Sequence, residues 1–262
     1  MTVPSTPDLN TVLGKAVTIL EAFTAEDHGL SLAELARRTG LPKGTLHRLV
    51  GELISVRLLD RQDRTYRLSG HLFQLGMLAS VERGLLEVAT PFMEDLYERT
   101  HETVHLGVRE GLEVVYVAKL GGHQQATSPS RLGGRMPLHC TAIGKALLAF
   151  APVEIQRDVL SSPLARRTPR TITAPGLLVQ QLRTVVETGI AFEREESARG
   201  IVCVAAPILD AWGVPVAALS VTGTVARFRP ETHATFVRAA AAGVAATLAR
   251  RSALLEQQQP FH

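Results

Sequence analysis

Apolar residues recur with helical spacing along the first sixty residues and predict three short helices. The first falls between residues 10 and 24, where apolar side chains return every three or four positions. The second follows a capping box of Ser31 and Glu34, and Gly40 supplies the left-handed residue that ends it. The third has Pro42 in its first turn. Its inward face is predicted to carry Leu46, Leu49, Val50 and Leu53.

The second and third predicted helices have the arrangement of a helix-turn-helix over about residues 31–54. The segment LLDRQDRTYRLS follows, and its alternation around a polar tip at residues 62–64 predicts a two-stranded wing. In a winged helix, the third helix reaches base edges or nearby phosphates, and basic side chains beside it hold the DNA backbone. We assign contacts with base edges or nearby phosphates to Thr45, His47 and Arg48, and backbone contacts to Lys43, Arg61, Arg64 and Arg67.

Apolar positions cover a broad surface over residues 71–84, which predicts a linker helix. So broad an apolar surface needs a second partner. That partner is either the same helix in another copy of the chain or the chain's own second domain, and the pattern leaves both open. A two-fold dimer predicts a double-stranded DNA operator that is palindromic or pseudo-palindromic.

The second half of the chain alternates strand-like and helical segments. β-branched residues bounded by Gly, Pro or Asp predict strands within residues 100–109, 112–120, 189–195, 200–210 and 214–223. Helical patterns cover residues 137–150, 175–189 and 230–258. The fold class predicted is α+β with a mostly antiparallel sheet flanked by helices. We expect a DNA-binding domain over 10–70, the linker helix over 71–84, a second domain over 85–255, and disordered tails at 1–9 and 256–262.

Composition and charge narrow the function classes. Among the 262 residues, 45% are hydrophobic and 20% are charged, which is typical of a soluble globular protein. The sequence has no secretion signal, no apolar run of about 20 residues that could span a membrane, and only two cysteines, so we expect a cytoplasmic protein. Residues 31–70 hold eight basic residues against four acidic ones, which places a DNA-binding surface there.

The stretch HETVH at residues 101–105 matches a zinc-binding pattern, in which two histidines share one helical face. The alternation of apolar residues from Thr103 onward predicts a strand instead, so His101 and His105 straddle a helix-to-strand junction. As part of a sheet, His105 can at most face its concave side. We expect no metal, no cofactor and no enzymatic activity. A zinc-dependent hydrolase and a winged-helix interaction module without DNA affinity are the alternatives.

Several segments resemble the IclR family of bacterial transcriptional regulators. They are SLAELARRTGLPKGTLHRLVGEL, YRLSGHLFQLG, GRMPLHCTAIGKALLAF and GIVCVAAPILDAWGVPVAALSVTG, in the family's order, and the resemblance covers about residues 10–255. It implies a winged helix, a linker helix and an effector domain similar to GAF and PAS sensors. It also implies homodimers or homotetramers that respond to small carboxylates or aromatic catabolites. Family members repress or activate transcription, and we expect a repressor.

The resemblance also implies an effector pocket between the helix that begins in PLHCTAIGKA and the concave face of the sheet. The backbone amides of Ala142 and Ile143 would donate to an anionic effector, in agreement with the general preference of anions for helix amino ends. The polar contacts carried over are Glu193, Cys203, Ser220 and Thr222. Two of these have a plainer interpretation, since Cys203 could be a small apolar core residue and Glu193 a solvated one. We expect surface positions for Arg131, Arg135 and His139, although one of them could neutralise an effector carboxylate.

Overall fold

The structure, a computed structural model, describes residues 8–24, 26–76, 78, 80–121 and 128–257. The chain divides into two compact units between Arg83 and Gly84. This division falls within the segment predicted as a linker, and the domain boundaries given above stay predictions. Among the described residues, no helix combines the length and the apolar character needed to cross a membrane.

The first unit is a winged helix built on three short helices. Ser31 accepts a hydrogen bond from the Glu34 amide at 3.2 Å, as a capping box requires. The Glu34 carboxylate, however, pairs with Arg37 and Arg38. Gly40 ends the second helix with a φ of 68°. The helices are α1 (Val12–Glu21), α2 (Leu32–Thr39) and α3 (Lys43–Ser55).

The predicted wing is present as an antiparallel hairpin. Strand β2 (Leu59–Gln62) pairs with β3 (Thr65–Leu68), and β3 also pairs with the two-residue strand β1 (Leu30–Ser31). The inward residues of α3 belong to the hydrophobic core of this unit, as the sequence predicts. They are Leu46, Leu49, Val50 and Leu53.

The predicted linker segment is divided between two helices, α4 (Gly70–Gly76) and the start of α5 (Ser80–Thr100). Leu78 lies in a turn between them, and Met77 and Ala79 lie outside the described residues. Glycine is a weak helix former, so Gly76 is a natural end for α4. Both Phe73 and Leu78 are 73% exposed in the described structure.

The second unit is a six-stranded antiparallel sheet with helices on both faces, which confirms the α+β prediction. The strand order is β6-β5-β4-β9-β8-β7. The strands are β4 (Thr103–Glu110), β5 (Glu113–Leu120), β6 (Arg135–Pro137), β7 (Ala191–Arg194), β8 (Ile201–Leu209) and β9 (Pro215–Thr224). The helices after α5 are α6 (Ala142–Ala149), α7 (Val153–Ser161), α8 (Pro175–Thr188) and α9 (Pro230–Gln257).

Two hydrophobic cores lie on opposite faces of this sheet. On one face α6 and α8 pack against the central strands, through residues such as Leu147 and Leu178. On the other face α5 and α9 cover the sheet, through residues such as Leu96 and Val237. The strand residues between them alternate in direction, which gives the α6 face of the sheet its own set of side chains.

The stretch HETVH lies at the junction that the sequence predicts. Helix α5 ends at Thr100, His101 has a φ of 51°, and β4 begins at Thr103. His101 is exposed, whereas His105 is buried within the sheet. The two imidazoles therefore do not share one helical face, as the zinc pattern would require.

Candidate functional site

The outward face of α3 carries the four residues predicted to contact DNA. Lys43, His47 and Arg48 are exposed and Thr45 is partly exposed, while the neighbouring leucines are buried. Lys43 is the first residue of the helix, so it lies where the chain enters α3. The four residues therefore lie on the solvent-facing side of α3, as the sequence predicts. Their contacts with DNA stay a prediction.

Glu52 is a residue of this face that the sequence analysis does not assign. Its carboxylate accepts a hydrogen bond from the Arg48 guanidinium at 2.5 Å, one helical turn away, and both side chains are more than half exposed. The pair therefore fixes the direction of Arg48 on the surface of α3 and reduces the positive charge there.

The wing places its arginines on two faces. In the register of β2 and β3, Arg61 lies opposite Tyr66, and Asp60 lies opposite Arg67. Residues opposite each other in an antiparallel pair share a face, and neighbours along a strand do not. Arg67 is within 3.3 Å of Gln62 Oε1 and 3.9 Å of Asp60 Oδ2, whereas Arg61 donates to the Asp63 carbonyl. Arg64 lies exposed in the turn.

All six predicted effector contacts line one cavity on the α6 face of the sheet. They are Ala142, Ile143, Glu193, Cys203, Ser220 and Thr222. The cavity is narrow and nearly closed in this structure, because the surrounding side chains leave almost no space that a water-sized sphere can enter. The register explains the convergence, since Glu193 pairs with Cys203 and Cys203 pairs with Thr222 across three neighbouring strands.

The amino end of α6 forms one wall of this cavity. Thr141 caps the helix, because its Oγ1 accepts a hydrogen bond from the Gly144 amide at 3.0 Å. The first amides of a helix have no partner within the helix, so those of Ala142 and Ile143 can donate to a ligand. Gly144 is required here, because a Cβ at this position would lie 2.3 Å from the Leu138 carbonyl oxygen.

Glu193 lines the same cavity from strand β7 and is 2% exposed. Its Oε1 accepts hydrogen bonds from the backbone amide and the hydroxyl of Ser197. Burial nevertheless raises the pKa of the Glu193 carboxyl above its usual value, because a charged carboxylate is poorly solvated there. Beside it, the Thr222 hydroxyl donates to Cys203 Sγ at 3.1 Å. The solvated position considered for Glu193 is therefore wrong.

His105 is a cavity residue that the predicted contacts omit. A hydrogen bond of 2.7 Å joins its Nε2 to the Ser130 hydroxyl, and Thr222 Oγ1 is 3.4 Å from its Nδ1. Its ring packs against Tyr116, with 5.2 Å between centroids. Burial, with a smaller effect of the Lys119 charge, lowers the pKa of His105 to about 3, so the imidazole is neutral near pH 7. The strand alternation from Val104 onward is the signal that could have placed it here.

The basic residues near α6 do not line the cavity. Arg131 and Arg135 are exposed as expected, and Arg135 pairs with Glu110. His139 is buried instead, and its Nε2–H donates to the Ala165 carbonyl at 3.1 Å, so the surface position expected for it is wrong. Lys145 is also buried, and its ammonium group pairs with Glu196 at 2.7 Å.

Comparison with known families matches both units. The IclR helix-turn-helix domain matches residues 12–63, and the C-terminal domain of the bacterial transcriptional regulator IclR matches residues 77–247. The chain belongs to the IclR family. Members of this family are transcriptional regulators that bind DNA and small-molecule effectors, which confirms the prediction of a ligand-responsive DNA-binding regulator.

Relatives in this family cover most of the chain. The regulator KdgR of Dickeya chrysanthemi is 32% identical over 234 residues, which are 88% of this chain and 76% of KdgR. BhcR of Paracoccus denitrificans is 34% identical over 218 residues, which are 82% and 78% of the two chains. A crystal structure of an IclR homologue from Microbacterium hydrocarbonoxydans in complex with 4-hydroxybenzoate has a TM-score of 0.85 and 32% identity. The match covers 92% of this chain and 100% of the homologue's chain.

Proposed function

We propose that the chain is a cytoplasmic transcriptional repressor. When a small organic acid enters the effector cavity, the protein either dissociates from its operator or changes its arrangement on it. The observation that carries this proposal is the convergence of six predicted contacts on one cavity at the amino end of α6. The 4-hydroxybenzoate bound by the homologue from Microbacterium hydrocarbonoxydans supports an aromatic or small aliphatic carboxylate as the effector class.

In the proposed complex the effector carboxyl group lies at the first amides of α6, near Ala142 and Ile143. The body of the effector lies against Tyr116 and Met136, which supply apolar surface to the same cavity. Its other polar groups meet Glu193, Ser220 and Thr222. Because the cavity is narrow, an aromatic ring requires movement of the lining side chains, and this movement is what a sensor can transmit.

The DNA-binding half of the proposal rests on α3 and the wing. We assign base-edge or phosphate contacts to Thr45, His47 and Arg48, and backbone contacts to Lys43, Arg61, Arg64 and Arg67. A homodimer, which can pair again as a tetramer, would set two such surfaces on a palindromic or pseudo-palindromic operator. The effector then shifts the population between arrangements that match and mismatch the two half-sites.

Thermal denaturation in the presence of candidate acids tests the effector class. The panel is 4-hydroxybenzoate, benzoate, phthalate, pyruvate and succinate. At a concentration of about 100 times the dissociation constant, a ligand of the native state stabilises it by about 2.7 kcal/mol and raises the melting temperature by several degrees. We expect this with at least one monocarboxylate, together with an altered gel shift of the DNA upstream of the gene.

A pair of threonine variants locates the binding site. Thr222→Val removes a hydroxyl from the cavity wall, and it is expected to abolish most of the ligand-induced shift. Thr232→Val removes an exposed hydroxyl from α9 and is expected to leave the shift unchanged. A panel in which no acid raises the melting temperature would contradict the proposed effector class, and an equal shift in both variants would contradict the proposed site.

A further inference from the structure

The effector cavity has an unusual charge pattern for a site that receives an anion. Among the described residues that line it, Glu193 is the one acid and there is no lysine or arginine. The one imidazole, that of His105, stays neutral because burial lowers its pKa to about 3. Among the described residues, an organic anion that enters the cavity therefore meets a buried carboxyl group and no positive side chain.

The lysines closest to the cavity are held by other groups. Lys145 donates to Glu196 and to Gln181, at 2.7 Å and 2.6 Å, on the core side of α6. Lys119 donates to the Ser130 carbonyl at 2.9 Å. Neither lysine is among the residues that line the cavity, so neither one faces a ligand there in this structure.

Among the described residues, no positively charged group is found to act on Glu193 itself. Burial raises the pKa of Cys140 to about 12 and raises those of Cys203 and Tyr116 well above their usual values, so all three stay neutral near pH 7. The charge of Glu196 disfavours a second carboxylate nearby, and Lys145 offsets Glu196. The titratable or charged groups that act on Glu193, share its surroundings or line its cavity include His105, Tyr116, Cys140, Lys145, Arg167, Glu196 and Cys203.

We propose that the cavity takes a monocarboxylic acid together with one proton, so that the ligand carboxyl group and Glu193 share a single negative charge. This proposal rests on the proposed effector function. Two like charges within about 6 Å in a partly polar interior would weaken binding about a hundredfold, and one proton removes that repulsion. The α6 amides then stabilise the remaining charge. Dicarboxylates and phosphate esters should bind more weakly, because they bring a second charge that none of the described lining residues offsets.

Calorimetric titration of the full-length wild-type protein with benzoate measures the number of protons taken up for each ligand bound. The titration is run between about pH 5.5 and about pH 8.5, in pairs of buffers with different ionisation enthalpies. Where the pH is low enough that Glu193 already holds its proton in the free protein, we expect proton uptake near zero. As the pH rises past the pKa of Glu193 in the free protein, uptake rises towards one proton per ligand and the affinity falls by up to about tenfold per pH unit. Phthalate, which adds a second carboxylate to the same ring, is expected to bind about a hundredfold more weakly.

Three variants separate Glu193 from the other groups that titrate. Glu193→Gln keeps a hydrogen-bond acceptor for Ser197 but cannot ionise, so its affinity for benzoate is expected to be independent of pH. Glu187→Gln removes an exposed carboxylate from α8 and should keep the wild-type profile. Lys119→Gln should also bind benzoate with almost unchanged affinity. A large loss in this variant would mean that its ammonium group neutralises the ligand instead, and would overturn the proposal.

Three further outcomes would contradict the shared proton, and one of them would also contradict the proposed effector class. Binding of benzoate or 4-hydroxybenzoate by the wild-type protein with no proton uptake across the whole range overturns the shared charge and leaves the proposed effector function standing. An unchanged pH profile in Glu193→Gln does the same. If none of the acids binds the wild-type protein, the proposed effector class fails, and the shared proton fails with it. The wild-type titrations decide the question even if Glu193→Gln does not fold.

Discussion

Arg48 is held by Glu52 on the surface of α3, and the energies involved decide whether this pair blocks DNA contact. An exposed ion pair one helical turn apart contributes about 0.3–0.5 kcal/mol. A bidentate contact between arginine and a base is worth about 1–3 kcal/mol. DNA therefore displaces Glu52 at little cost, and the pair serves to orient the guanidinium before contact. Glu52 also disfavours a phosphate at this point of the helix, which favours a base edge as the partner of Arg48.

Replacement of Arg48 tests this assignment. We expect Arg48→Ala to weaken operator binding by about 1–3 kcal/mol and to leave the oligomeric state unchanged. A matched control is Arg99→Ala, which breaks a similar exposed pair, with Asp95 on α5, and removes the same charge. Fluorescence anisotropy with a labelled operator measures both variants. Equal affinities for the two would contradict the role of Arg48, since the loss would then reflect net charge alone.

At the scale of elements, the amino end of α6 depends on close packing at Gly144. A Cβ there would lie 2.3 Å from the Leu138 carbonyl oxygen and 2.5 Å from Thr141 Oγ1, the atom that caps the helix. Backbone atoms cannot move aside as a flexible side chain can. The start of α6 and the donor groups of Ala142 and Ile143 are therefore fixed by a position that tolerates only glycine.

Gly144→Ala is expected to destabilise the protein by about 1–3 kcal/mol, because the methyl group forces the preceding turn apart. Gly176→Ala is the matched control, since a Cβ there meets nothing within 4 Å on α8. That variant should be neutral or stabilising by up to about 1 kcal/mol, because alanine is the better helix former. Chemical denaturation monitored by circular dichroism compares the two. Similar free energies of unfolding would show that the amino end of α6 can relax.

The elements that the sequence predicts well are those with a strong period. Strand β4 alternates between apolar and polar positions, and helices α3 and α8 repeat apolar residues with helical spacing. All three are found where they are expected. Strand β6 and helix α7 are missed. Strand β6 has only three residues, and α7 buries only Val159, so neither leaves a period long enough to recognise.

The period of apolar residues also predicts little of the cavity. The resemblance to the IclR family supplies six residues that do line it, whereas periodicity supplies only the possibility that His105 faces inward. The contact between His105 and Ser130 joins residues 25 positions apart, and the pair of Lys145 and Glu196 joins residues 51 positions apart. Such contacts follow from the way helices and loops pack against the sheet, which no local pattern in the sequence specifies.

For the whole molecule, the DNA-binding unit leaves large apolar side chains in contact with solvent. Leu13 is 78% exposed, and Phe73 and Leu78 are each 73% exposed. A protein that acts on a two-fold operator needs a second copy of itself, and exposed apolar surface is what a homodimer buries. The homodimer proposed above would bury such surface.

Phe73→Asp is therefore expected to shift the protein towards monomer, because burial of a charge in the dimer interface is unfavourable. Operator affinity should fall with it, since one winged helix contacts half as many phosphates, and the dependence of affinity on salt should become less steep. Trp212→Ser is the control. It removes an aromatic ring that is 86% exposed at the turn between β8 and β9, and the dimer should persist. Analytical ultracentrifugation and salt titrations of operator binding measure both effects. A Phe73→Asp protein that stays dimeric, with an unchanged salt dependence, would show that the interface lies elsewhere.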